Sequence, residues 1–372
     1  MSIIQTSVGS LAGPSLTSTA EPAVDLVESP VSAIEIERQW RLLGDRMGSP
    51  MQRYQWSSAC ADAFASSGAM RICMVNRDGN VVALAPMVHR RMDGVRHLAM
   101  VGSFELHEPM DLIYRDVDAL ERLLQSMLAS GAPLFLERVP ADSPTVAAVN
   151  RLHPRSAIVI QRPQALCPYT PLDASWREPE SHLKSSRRSD LRRAMRKAQQ
   201  RGPVTVEILR PKPQELEPLL QRAFEIEAAS WKGRAGTALL YDSRRADFFR
   251  RYSRSAAADG TLRLCFLKIG DEFAAMQLAV ECYGAFWLLK IGYDDRFAEC
   301  SPGQLLIRET IRYAVECGLS SYEFLGSAAA WTQVWTQHER PCVSLWAYPN
   351  SMRGISALSV RAARAVWHRW RR

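Results

Sequence analysis

The chain has 372 residues, 47% of them hydrophobic and 23% charged, a composition that excludes an intrinsically disordered or collagen-like protein. That length exceeds what one core ordinarily fills, so two domains are expected. The net charge of +8 is concentrated: residues 184–201 carry eight Lys or Arg against Asp190 alone, and residues 361–372 add five arginines and no acid. The remaining body is mildly acidic, which excludes a uniformly basic nucleic-acid coat.

Residues 1–29 contain no Lys or Arg and are rich in Ser, Thr, Ala, Gly and Pro. A signal or transit peptide needs basic residues there, and no stretch reaches the ~18 apolar residues of a spanning helix. A disordered leader (1–30) on a cytoplasmic protein without a transmembrane segment is expected. Helices are predicted near Ile34–Leu43 and over 54–67, then strands at 70–76, 81–88 and 95–102. Asn76-Arg77-Asp78-Gly79-Asn80 joins the first two as a hairpin. A helix (117–129), a strand (134–139), a short helix (145–152), a strand (157–161) and a Pro-rich passage (163–171) complete a first lobe, 31–175.

A basic linking helix (176–203) stops at Gly202-Pro203. The second lobe, 204–350, is predicted as a strand (204–209), helices 214–230 and 244–259, strands 261–268 and 273–280, then a buried strand from Phe286. After the strand comes a loop opening a helix with Ser301-Pro302-Gly303-Gln304. Ser301 reads as an N-cap and Pro302 as a first-turn residue, so free amides and a positive dipole end leave a strand-to-helix junction suited to a phosphate. A last strand (343–348) and a basic C-terminal helix (351–372) follow. Eight cysteines without a Cys-x-x-Cys pair read as reduced thiols, and seven histidines without ligand spacing predict no metal. The segment Arg71-Ile72-Cys73, with Ala83, repeats as Arg263-Leu264-Cys265, with Ala275, an echo pointing to two copies of one α/β fold.

The run Gly292-Tyr293-Asp294-Asp295, five residues, then Ser301-Pro302-Gly303-Gln304-Leu305-Leu306, followed by Ser321-Tyr322-Glu323-Phe324-Leu325-Gly326, resembles the second half of GNAT-fold acyltransferases. The subgroup it looks like is the cellulose-biosynthesis (CelD-like, BioF-like) type, related to the tandem FemABX-like proteins. The commoner Arg/Gln-x-x-Gly-x-Gly/Ala signature is replaced by Ser-Pro-Gly-Gln-Leu-Leu. The resemblance implies tandem GNAT-like halves with mixed sheets flanked by helices. It implies transfer of an acyl group from acetyl-CoA or another acyl-CoA to an amine or hydroxyl of a small or glycan-linked acceptor, as in polysaccharide biosynthesis. Relatives of the FemABX type use aminoacyl-tRNA instead, and a non-catalytic carbohydrate or RNA binder is a third reading.

On this resemblance, Ser301, Pro302, Gly303, Gln304, Leu305 and Leu306 hold the CoA pyrophosphate. Direct transfer needs a base, an oxyanion donor and an acid for the thiolate. Glu323 is the expected base, or else positions substrate or pairs with an Arg. Tyr293 and Asp294 are expected as acid or orienter, an Asx turn explaining Asp294 equally well. Lys290, which interrupts an apolar strand, faces the cleft or is a paired core charge. His107 and Asp111, in the acidic segment 104–111, are expected at the substrate or on a surface turn. Trp331 stands where relatives have an aromatic before Lys, and Thr332 replaces that Lys. The basic stretch 184–201 reads as a solvated face, a guide for an anionic substrate or an RNA contact. The tail rests Trp367 and Trp370 on an anionic membrane surface or packs Ile355, Leu358, Ala362 and Val366 on the body.

Overall fold

The computed structural model describes residues 26–27, 34–66, 69–92 and 94–370; apart from Leu26 and Val27, the expected leader lies outside the described residues. In chain order the first half contributes β1 (Leu26–Val27), α1 (Ile34–Gly44), α2 (Tyr54–Phe64), β2 (Met70–Arg77), β3 (Asn80–Met92), β4 (Val95–Met100), α3 (Ser103–Leu106), β5 (Ile113–Tyr114), α4 (Val117–Ala129), β6 (Leu134–Pro140), α5 (Pro144–Arg151), β7 (Ala157–Pro163) and β8 (Cys167–Pro171). The second contributes α6 (Ser185–Arg201), β9 (Val204–Leu209), α7 (Leu216–Ala228), α8 (Trp231–Arg234), α9 (Ser243–Ala258), β10 (Leu262–Ile269), β11 (Glu272–Cys282), β12 (Ala285–Tyr293), α10 (Pro302–Glu316), β13 (Ser321–Glu323), β14 (Glu339–Arg340), β15 (Cys342–Pro349) and α11 (Met352–Trp370).

Local chemistry accounts for the clearest boundaries. Asp78 and Gly79 both take positive φ (53° and 74°), as a tight two-residue hairpin between β2 and β3 requires. Asp116 accepts the Ala119 N–H at 2.9 Å and starts α4, whose Leu120, Leu123, Leu124 and Met127 bury one face.

Two sheets repeat one plan. The first runs β1-β2-β3-β4-β6-β15-β7, with β5 added beside β3, and the second runs β9-β10-β11-β12-β13-β8-β14. In each, the fourth and fifth strands (β4 with β6, β12 with β13) are parallel and every other neighbour is antiparallel. The fold is therefore a tandem α/β arrangement, and β2 and β10 are the strands that carry the sequence echo. The sixth position is filled reciprocally: β15, from the end of the second half, sits in the first sheet, and β8, from the first half, sits in the second. The lobes thus do not divide at one point in the chain. Within the Pro-rich passage, Cys167–Pro171 form a strand, with Pro168 and Pro171 near its ends, where a missing N–H is tolerated.

One apolar core extends through both lobes. Trp56 of α2 meets Phe248 and Tyr252 of α9 edge-on at 4.9 and 5.0 Å, and Phe64 stacks on Phe248 at 5.6 Å. Burying this much aromatic surface holds the lobes at a fixed angle and gives the clefts between them rigid walls.

Candidate functional site

β12 carries the irregularity on which the site is built. Its register against β11 slips: Lys290 lies opposite Leu278 and Leu288 opposite Ala279, leaving Leu289 as a bulge. On its other side β13 pairs only with Ala285–Trp287, so β12 runs on to Tyr293 with that edge open. Past Tyr293 a 3-10 turn (Asp295–Cys300) leads into α10.

The helix entrance differs from the sequence reading. Ser301 has left-handed backbone angles (φ 45°, ψ 50°), so its hydroxyl makes no cap; its carbonyl accepts the Gln304 and Leu305 N–H groups at 3.0 and 3.2 Å. With Pro302 lacking an N–H, Gly303 is the amide left at the helix mouth. Leu305 and Leu306 are buried core. The Gln304 side chain donates to the Trp331 carbonyl (3.2 Å) and accepts from Trp335 Nε1 (2.7 Å), tying down the 331–335 turn. Thr332, where a Lys is common in relatives, is fully buried and bonds the Ala329 backbone in both directions, so the position has no room for a projecting ammonium.

A cavity of about 470 Å³ opens here, walled by Lys232, Gln277, Gly292, Tyr293, Gly303 and Trp331. At its rim lies α6, anchored by buried Leu191, Ala194 and Ala198. Arg187, Arg193 and Lys197 line an adjoining cavity of about 620 Å³ that shares Ser301 and Gln304 with the first. Asp190 pairs with Arg193 at 2.6 Å and with Arg187 at 3.6 Å, and Glu299 pairs with Lys197 at 3.4 Å, so these three cations share only two carboxylates.

The preceding two residues of β12 wall a different cavity. Leu289 and Lys290, with Trp56, His107, Glu108 and Phe249, enclose about 170 Å³ between the lobes. Lys290 sits over the Phe249 ring at 5.2 Å, and burial lowers its pKa, countered in part by Glu227 and Glu108. Burial raises the pKa of Glu108, against the opposing pull of Arg138 and of a Gly326 N–H bond at 3.4 Å. Burial thus favours proton uptake by this carboxylate more than an ordinary surface position does. Arg138 itself is buried and donates to the carbonyls of His107 and Gly326 and to Cys167 Sγ. His107, Arg138 and Leu325 all take positive φ (54°, 53° and 57°), so three strained residues from three segments converge on this guanidinium.

Glu227, on α7, was missed in the sequence although it continues the helical core spacing of Leu220, Ala223 and Phe224. It is fully buried and accepts Lys232 Nζ and the Leu239 N–H, both at 3.0 Å; Lys232 also donates to the Ile291 carbonyl at 2.7 Å. A methyl on Gly292 would stand 2.7 Å from the Glu227 Cα. Gly292→Ala is therefore expected to destabilise the protein by about 1–3 kcal/mol, measured by denaturant unfolding, and to loosen this wall of the cavity at the mouth of α10.

Glu323, Asp111 and Asp294 lie apart from these two cavities. Glu323 is buried and its carboxylate binds Arg340 Nη2 at 2.8 Å and Ser321 Oγ at 2.9 Å, the Arg-paired alternative. It sits where β12 and β13 are still paired, facing a groove of about 700 Å³ that Asp111 also lines. Asp111 accepts from Ser143 Oγ, Thr145 Oγ1 and its neighbour's N–H at 2.5, 2.6 and 2.7 Å, and burial pushes its pKa to about 6. Asp294 caps the 3-10 turn through the Arg296 N–H and pairs with the Arg296 guanidinium at 2.7 Å; its pKa is lowered, burial opposing the bonds from Arg296. It forms the Asx turn, whereas Tyr293 lines the cavity at the mouth of α10. His107 is half-exposed, 3.5 Å from Glu137. Among the described residues, no group of three or more His, Cys, Asp or Glu is arranged to hold a metal, and no helix is long and apolar enough to cross a membrane.

Residues 185–333 match the family of the Acetyltransferase (GNAT) domain. The fold is GNAT-like. Among solved structures, FemX superposes with a TM-score of 0.58 at 14% identity over 84% of this chain and 96% of that one. The C-terminal domain (DUF2156) of a putative lysylphosphatidylglycerol synthetase from Agrobacterium fabrum gives 0.54 at 10% identity, covering 89% and 96%. L-PGS from Bacillus licheniformis gives 0.50 at 12% identity, covering 84% and 96%. These identities bear on fold alone. No curated protein sequence matches the chain.

Proposed function

We propose that the second lobe transfers an acyl group, most simply acetyl, from acyl-CoA to an amine or hydroxyl of a small or carbohydrate-linked acceptor. The observation that carries this reading is the open edge of β12 beyond Trp287, with one cavity against 291–293 and another against Leu289 and Lys290. An unpaired strand edge accepts an extended, amide-bearing arm such as pantetheine. The Gly303 amide and the α6 arginines supply positive charge for its phosphates.

On this reading the thioester lies at the bulge, between a donor arm in the larger cavity and an acceptor in the smaller. The Glu108 carboxylate takes the proton from the attacking amine or hydroxyl. The backbone freed at Leu289 donates to the oxygen of the tetrahedral intermediate, and Tyr293 protonates the departing thiolate. Lys290 can orient the acceptor. Glu323, held by Arg340, supports the closed end of the strand pair.

Calorimetry with CoA tests the donor: binding at micromolar to millimolar concentration is expected, and Arg193→Glu should weaken it by about tenfold. No heat at millimolar CoA overturns the reading. The basic rim on α6 also suits an aminoacyl-tRNA donor, as in FemABX-like relatives. Tight tRNA binding whose affinity falls steeply with salt, without CoA binding, would establish that donor instead.

A further inference from the structure

The C-terminal helix presents a surface that the transferase reading does not use. On one side α11 is fixed to the first lobe: Ala357 is buried, Leu358 packs with the Phe135–Trp346 cluster, and the Arg361 guanidinium lies 4.0 Å from the Trp346 ring centre. Gly354 permits this approach, since a Cβ there would stand 2.0 Å from the Pro349 carbonyl oxygen. The other side is apolar and open. Met352 is 88% exposed, Ile355 60%, Val360 37% and Trp367 51%. At about 100° per residue these four fall within less than half of the helix circumference. The packing expected from sequence is thus reversed for Ile355 and Ala362, which face solvent; the Val366 side chain lies outside the described residues.

Charge identifies what covers this face. From 350 to the end the sequence holds six arginines and no acid. Beneath the helix, a cavity of about 750 Å³ is lined by Arg71, Arg96 and Arg353 with Ser130 and Ser356, and among the described residues no carboxylate lines it. Met352 and Val360 edge both this cavity and the apolar stripe. A phosphate held by the arginines would therefore have its acyl chains beside Met352 and Val360. Nucleic acid would use the charge and leave the aliphatic stripe in water; an interfacial bilayer site uses both.

We infer that this face docks on a bilayer containing anionic phospholipid, the headgroup phosphate entering the arginine-lined cavity and the Met352–Ile355–Val360–Trp367 stripe resting at the acyl boundary. The test is co-sedimentation of the full chain with phosphatidylcholine vesicles, with and without phosphatidylglycerol. Pelleting only with the anionic vesicles, weakened by added salt, is expected. Arg96→Glu and Arg353→Glu should each reduce partitioning by at least about fivefold, and Ile355→Glu by a similar factor. All three residues are exposed, so melting temperature should stay unchanged and CoA binding should be unaffected. Equal pelleting with neutral vesicles, no pelleting with either, wild-type pelleting of the variants, or retention by RNA in place of vesicles each overturns the inference. Release by millimolar inorganic phosphate at constant ionic strength would show an ordinary phosphate site and overturn it likewise.

Discussion

Glu108→Gln is expected to lower turnover by about 10²- to 10⁴-fold while CoA affinity stays at the wild-type value, because a base contributes to proton transfer and the donor cavity lies on the other stretch of β12. Burial raises the Glu108 pKa above the ordinary carboxylate value. Wild-type activity should therefore rise with pH through a value above 4.5 and level off, and that acid limb should vanish in the variant. Glu323→Gln is the matched control. Its carboxylate is already held by Arg340 and Ser321, so turnover should change little. The opposite pattern, a slow Glu323→Gln enzyme beside a normal Glu108→Gln enzyme, returns the base to β13.

The contrast between these two glutamates shows what sequence can and cannot disclose. The hairpin at Asp78-Gly79, helix α4 behind its Asp116 cap, and strand β9 were legible because capping, turn chemistry and hydrophobic period act within a few residues. The 192-residue echo between Arg71 and Arg263 likewise located equivalent strands in the two sheets. Glu323 stood out because it follows the α10 helix on the next strand, but its partner Arg340 lies across β8, and that strand arrives from the other half of the chain. No local pattern announces such an exchange. Glu108 lay in a segment already marked by His107 and Asp111, yet which of these acids turns into the cleft is set by the left-handed backbone at His107 and by Arg138, 30 residues further on. At Ser301 the residue types of an N-cap were present, and a left-handed backbone turned the hydroxyl away from capping. Glu227 could have been found: a Glu at a core position of an amphipathic helix needs a partner, and Lys232 follows nearby in α8.

Asp111→Asn is expected to leave turnover intact and to stabilise the protein at neutral pH. Asp111 is enclosed by its bonds to Ser143, Thr145 and Leu112, and burial, the largest influence, lifts its pKa from 3.8 to about 6 against those bonds. Because the folded-state value lies above the unfolded one, the folded chain binds the proton more tightly. The contribution to stability is fully present below pH 3.8 and is lost as pH rises through about 6. A displacement of this size corresponds to about 3 kcal/mol by pH 7, and an amide, which never ionises, removes that loss while retaining an oxygen for the hydroxyl donors. Denaturant unfolding at pH 4 and pH 7 measures the effect: the stability difference between the two pH values should shrink by up to about 3 kcal/mol in the variant. The hydroxyls of Ser143 and Thr145 can rotate to accept from the new amide nitrogen, so the N-terminus of α5 is expected to keep its geometry. A variant less stable than wild type at pH 7 would mean that the ionised carboxylate is better held than its burial implies. One with lost turnover would return Asp111 to the substrate groove that it shares with Glu323.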